Sequence, residues 1–260
     1  MKVKLPVLVK DRSVADYKDI DPTEEFIVDS EDVFLDGPVT NRVAVLDFDP
    51  NKGSLAQPAK FATPQEPGAY GSYQAPRNGF DDPSFMQVVV FGGVMKTMHM
   101  FEEADNLGRR IRWAFDGLQL LVVPRAGDWA NAYYERESRS LQFFYFTPNG
   151  AGKEVYTCQS QDIISHETAH AILDDIAPDL YHATTPESLA IHESLADLTT
   201  LIMALRSRAL ASRVLEQCRY SLEHPSAFTA VAPEFGMALG RHGHALRNLK
   251  NDRKISDRDL

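Results

Sequence analysis

His166-Glu167-Thr168-Ala169-His170 sets two imidazoles and a carboxylate within one short stretch that reads as helix. An α-helix turns once in about 3.6 residues, so residues four apart share a face. The two rings can therefore meet at one metal ion. Glu167, one step round the helix, can hold a metal-bound water rather than the metal. Histidine ligands at this spacing with a neighbouring glutamate as general base form the layout of a zinc hydrolase. Two histidines on a helix can equally be solvated and inert, so the rest of the ligand set has to come from elsewhere in the chain.

Gln159 to Ile176 reads as the helix that carries the motif. Ile163, Ile164, Ala171 and Ile172 can pack while the histidines face a cleft, and Pro178 stops the helix. Thr185-Pro186-Glu187 opens the next helix, with Thr185 as N-cap and Pro186 at the first position, and it runs to about Arg206 or beyond. Catalytic zinc takes three protein ligands and keeps a position for water. The second helix offers Glu193-Ser194-Leu195-Ala196-Asp197, in which Glu193 and Asp197 share a face. Antiparallel packing of the two helices brings Glu193 opposite the histidines. Asp197 then falls where it can accept the spare ring N–H of a ligating histidine, His166, fixing its tautomer and raising its basicity.

The remaining sequence bounds the setting. With 260 residues, 43% hydrophobic and 25% charged, the chain has enough apolar side chain for a sizeable core. A net charge of -10 argues against nucleic acid and anionic membrane as partners. Cys158 and Cys218 cannot build a disulfide framework; free thiols in a reducing compartment are expected, with a single bridge left open. Lys4, Pro6 and Lys10 interrupt the first ten residues, which lack the apolar core of a signal peptide, and Val88 to Met95 is too short to span a bilayer. A cytoplasmic location is the expectation.

Residues 1–50 look β-rich, with Phe26-Ile27-Val28, Val33-Phe34-Leu35 and Val43 to Leu46 as apolar runs and Asp36-Gly37-Pro38 as a turn. The acids from Asp16 to Asp32 read as a solvated face. Residues 51–83 read as a long irregular connection pinned by Tyr70, Tyr73 and Phe80. Ser84 to Leu107 has helical spacing, Gly108 marks its stop, His99 on it reads as structural, and Gly92-Gly93 suggests close packing against a neighbour. Leu118 to Val123, Asn131 to Tyr134 and Ser140 to Phe146 read as strands. Lys250 to Leu260 reads as a charged tail.

Over about residues 84–207 the chain resembles the thermolysin family of zinc metallopeptidases, the gluzincins. The resemblance rests on His166-Glu167-Thr168-Ala169-His170 followed by Glu193-Ser194-Leu195-Ala196-Asp197. Asp162-Ile163-Ile164-Ser165 is similar to the family's lead-in, and Asp174 stands where the family has an acid. Tyr181 lies eleven residues after His170, the spacing of the family's catalytic tyrosine, and Asn131-Ala132-Tyr133-Tyr134 is similar to its substrate-holding edge strand. The resemblance implies zinc on His166, His170 and Glu193, Glu167 as general base, Tyr181 as oxyanion donor, and Asn131 and Ala132 pairing an extended peptide or protein substrate. The family also uses a late histidine on the tetrahedral intermediate; His224, His242 and His244 are the candidates, none in a matching motif. His192 stands where the family commonly has asparagine. Acids for calcium are not evident beyond Asp162, and the helical part after Glu193 is short for the family.

The expected fold is α+β, a thermolysin-like zincin with a mixed β-sheet N-terminal lobe, a central zinc-binding helix and a reduced helical C-terminal lobe. The expected division is 1–83, a β-rich segment and irregular connection; 84–182, sheet plus zinc helix; and 183–260, the helical lobe. The expected activity is zinc-dependent hydrolysis of peptide bonds. The alternatives are a zinc-containing peptide-binding module with little turnover and, more weakly, a purely structural zinc site.

Overall fold

The computed structural model describes residues 2–16, 20–29, 33–77, 79–148, 152–182, 185–221, 223–240 and 245–251. In chain order the strands are β1 (Lys2–Leu8), β2 (Thr23–Asp29), β3 (Phe34–Leu35), β4 (Val39–Thr40), β5 (Val43–Val45), β6 (Phe48–Asp49), β7 (Ser54–Leu55), β8 (Phe61–Ala62) and β9 (Gly71–Tyr73). Then follow β10 (Leu120–Val123), β11 (Ala132–Glu135), β12 (Ser140–Phe143), β13 (Tyr145–Phe146), β14 (Val155–Tyr156), β15 (Ala230–Val231) and β16 (Arg247–Asn248). The helices are α1 (Pro83–Glu102), α2 (Gln161–Ile176), α3 (Pro186–Arg206), α4 (Arg208–Gln217) and α5 (Pro233–Ala238). The molecule is a mixed α+β protein.

Two sheets carry the N-terminal half. One has the order β2-β1-β9-β8, the other β11-β12-β10-β5-β4-β3. In the larger sheet β10 runs parallel to β5 and β12, while β11 is antiparallel to β12 and ends the sheet. The stretch expected to be irregular, 51–83, thus contributes β8 and β9, and β1 arises from residues whose Lys and Pro had obscured it. β1 alternates Val3, Leu5 and Val7 inward, the period of a half-buried strand. Tyr73 and Phe80 anchor the connection, Tyr73 through its hydroxyl on Ser84 and Phe80 edge-on to Phe85.

Other boundaries shift for identifiable reasons. Helix α1 ends at Glu102 rather than Leu107: Glu103 leaves helical geometry at ψ 148°, and Leu107 N–H turns back to Phe101 O at 2.9 Å. Gly108 still closes the following turn, with φ +60°. The Ser140 to Phe146 strand breaks at Phe144, whose N–H turns to Thr157 Oγ1 at 2.9 Å. Leu118 lies outside its expected strand and is exposed. Helix α2 starts at Gln161, two residues later than expected, with Ser160 as N-cap.

Helix α1 is the spine. A Cβ on Gly92 would stand 2.6 Å from Val7 Cγ1, and one on Gly93 would stand 2.9 Å from Ile164 Cγ2. The two glycines therefore let β1 and α2 approach adjoining sides of the helix. One apolar core joins β1, α1, the larger sheet, α2 and α5, running from Val3 to Phe235. A second, smaller core lies between Val9, Val14, Ala204, Leu210 and Phe228. Cys158 and Cys218 are both free.

Candidate metal centre

Helix α2 is buried along most of its length although half of its residues are polar. Ser165 and Thr168 spend their hydroxyls on the helix's own carbonyls, Gln161 O and Ile164 O. Asp174 accepts from the Tyr134 hydroxyl at 2.8 Å and pairs with Arg136. Asp162 accepts from Lys10 Nζ at 2.7 Å and Ala232 N–H at 2.8 Å. With these polar groups satisfied, His166, Glu167 and His170 remain for other work.

Helix α3 begins at Pro186, capped by Thr185 accepting from Ser188 N–H, and lies along α2. It brings Glu193 to both histidines. His166 Nε2 lies 3.2 Å from His170 Nε2. Glu193 Oε2 lies 3.4 Å from His166 Nε2, and Oε1 lies 3.6 Å from His170 Nε2. His166, His170 and Glu193 form a group that could hold a metal ion. Bonds of about 2.0–2.2 Å in a tetrahedron imply ligand-to-ligand edges of about 3.3–3.6 Å; the two Nε2 atoms stand slightly closer than that, at 3.2 Å, and the two Glu193 oxygens each reach a different ring, at 3.4 and 3.6 Å.

Asp197 and His192 stand behind the two rings. His166 Nδ1 stands 3.1 Å from Asp197 Oδ1. His170 Nδ1 stands 3.2 Å from His192 Nδ1, which leaves His170 Nε2 facing the group. His192 Nε2 is buried without a hydrogen-bond partner among the described residues. Arg247, on β16, reaches Glu193 at 3.3 Å and Asp197 at 3.1 Å. Nothing in the sequence around Arg247 announces this contact, which depends on how the distant C-terminal hairpin of β15 and β16 folds back.

Electrostatics divides the cluster. Burial opposes the imidazolium of His166, but Asp197 and Glu193 outweigh it and lift the ring to about 9. Burial and the neighbouring His166 push His170 down to about 3. Glu193 falls to about 2 through its hydrogen bond with His166, against burial. Burial raises Glu167 to about 7, with Glu193 adding to it and His166 opposing. One proton is thus held between one histidine and two carboxylates, where a divalent cation would satisfy the same charges.

A cavity of about 100 Å³ opens at His166 and Glu167. Asn131 and Ala132 line it from the start of β11, and Ile163, Val231, Phe235 and Leu246 supply its apolar lining, with Arg247 beside them. Tyr181 does not line it. Its ring packs between Arg136, 4.2 Å above it, and the edge of Tyr134, and its hydroxyl accepts from Arg136 N–H at 3.1 Å. Among the late histidines His224 is exposed, and His242 and His244 lie outside the described residues. His99 is exposed beside Glu103 and edge-on to Phe26.

No family model matches the sequence, and no curated protein matches it either.

Proposed function

We infer that the protein is a zinc-dependent peptidase acting at the His166, His170 and Glu193 cluster. The observation that carries the reading is the convergence of one atom each from His166, His170 and Glu193 within 4.8 Å of one another, with the two Nε2 atoms 3.2 Å apart, close to the edge of about 3.3–3.6 Å that a tetrahedral ion sets. A bound zinc would lower the pKa of a water to about 7 and polarise the scissile carbonyl. The residues around it do the rest. Glu167, brought back to its ionised form by a nearby cation, takes a proton from the attacking water and delivers it to the leaving nitrogen. Asp197 and His192 hold the two rings in the tautomers that present Nε2. Strand β11 ends its sheet, so an extended substrate can add to its outer edge beside Asn131 and Ala132. The apolar lining from Ile163, Val231, Phe235 and Leu246 suits an apolar substrate side chain. Tyr181, tethered to Arg136, would need to turn its hydroxyl towards the cavity to serve as an oxyanion donor.

One observation favours the alternative of a zinc-containing peptide-binding module with little turnover: Tyr181, the expected oxyanion donor, does not line the cavity and its hydroxyl accepts from Arg136 N–H. One pair of measurements separates the two. Metal analysis of purified protein is expected to give about one zinc per chain, lost in His170→Ala. Glu167→Gln is expected to keep the zinc and to slow cleavage of a mixed peptide library by about 10²-fold or more. Equal cleavage by wild type and Glu167→Gln, or none by either, removes the peptidase reading. Full zinc in His170→Ala removes the ligand assignment.

A further inference from the structure

Helix α3 has two apolar faces, and the fold uses only one. His192, Ala196, Thr199, Thr200, Met203 and Ala204 are buried. On the opposite side Ile191 is 51% exposed, Leu198 52%, Ile202 44% and Leu205 44%. The helix is apolar enough over 18 residues to pass for a bilayer span, yet only 33% of that window is buried. Ile191, Leu198 and Leu205 repeat every seven residues, with Leu195 and Ile202 beside them. This is the spacing of a helix seam, and it sums to an apolar patch on the order of a few hundred Å².

We propose that this seam is covered by the same seam of a second copy of the chain, packed antiparallel about a two-fold axis at Leu198. The two ends of the stripe, Ile191 and Leu205, lie seven residues either side of that residue. Ile191 then meets the partner's Leu205, and Ile202 sits over the small Ser194 of the other copy. Charge selects the direction. Glu187 lies exposed at the N-terminal end of the helix and Arg208 lies exposed just past its C-terminal end, while Arg206 is taken up by Glu103 of the same chain. Antiparallel pairing sets Glu187 within about a turn of the partner's Arg208, whereas parallel pairing would stack like charges and aligned helix dipoles. Burying the stripe from both copies, with its flanks, approaches the roughly 1,000 Å² that a specific interface needs. Glu193 and Asp197 face α2 rather than the seam, so the pairing leaves the candidate metal centre uncovered.

Sedimentation velocity on the full chain across roughly 1–100 μM is the test. The expected result is a concentration-dependent dimer. Leu198→Lys and Ile202→Glu, both at positions exposed in the single chain, are expected to weaken it by at least about tenfold each, with unchanged circular dichroism and melting temperature. Glu187→Arg is expected to weaken it as well, and adding Arg208→Glu to restore it. A monomer at the highest concentration overturns the proposal. So does a dimer indifferent to both stripe substitutions, or a charge swap that fails to restore association.

Discussion

Lys10 is 2% exposed and its ammonium sits 2.7 Å from the equally buried Asp162. A charge in such a place is tolerable only with its partner, and removing one member leaves the other uncompensated. Lys10→Met is therefore expected to cost about 3–5 kcal/mol in urea denaturation. Lys10→Met/Asp162→Asn is expected to recover more than half, because the stranded charge is gone while the amide oxygen still accepts from Ala232. A double variant no better than the single would contradict this. At the same scale Glu193 was readable, because helical periodicity sets it beside Asp197 and opposite a preceding helix. Arg247 and the partner of Lys10 were not, because ion pairs between residues far apart leave no pattern in either local stretch.

Elements meet where glycine permits it. Gly236 in α5 faces the returning chain so closely that a Cβ would lie 2.0 Å from Ala245 C and 2.1 Å from Leu246 N. The contact is with backbone, which cannot swing aside. Gly236→Ala is expected to destabilise the protein by about 1–3 kcal/mol, read as a lowered melting temperature. On the proposed zinc-binding role it should also shift Leu246 and Arg247 from the cavity, read as a changed zinc affinity in protein that is still folded. Unchanged melting and zinc affinity would show that the crossing is looser than its geometry. Helices were legible from caps and periodicity, as Thr185 and Pro186 did for α3. Short strands were less so: β8 and β9 hold two and three residues, too few for alternation to stand out.

At the scale of the molecule, the N-terminal segment, the motif helix and the C-terminal segment converge on a knot of acids. Asp11 is fully buried and accepts from Glu234 N–H at 2.8 Å. Burial raises the Glu234 carboxyl to about 7, with Asp11 adding to it and Arg12 and Lys153 opposing. The folded state thus holds a proton that the unfolded state releases above about 4.5. Where the native state binds more protons, stability falls as pH rises. The contribution of Glu234 is present below about 4.5 and is lost as pH climbs through about 7. Glu234→Gln is expected to gain about 1–2 kcal/mol over wild type at pH 8 and little at pH 4.5. A gain independent of pH would mean that Glu234 does not titrate in this range.

By itself the sequence determined the helices that carry His166, Glu167, His170 and Glu193, because ligand spacing, capping and apolar period are local properties. It determined the α+β character in the same way. Only the tertiary structure decided that His166, His170 and Glu193 converge into a group that could hold a metal ion. It alone decided that Arg247 and three of the apolar lining residues, Val231, Phe235 and Leu246, arrive from the C-terminal segment, and that Ile191, Leu198, Ile202 and Leu205 of α3 stay exposed. Those outcomes depend on how closely backbones pack at Gly93 and Gly236, and such distances are set by the whole fold rather than by any stretch of it.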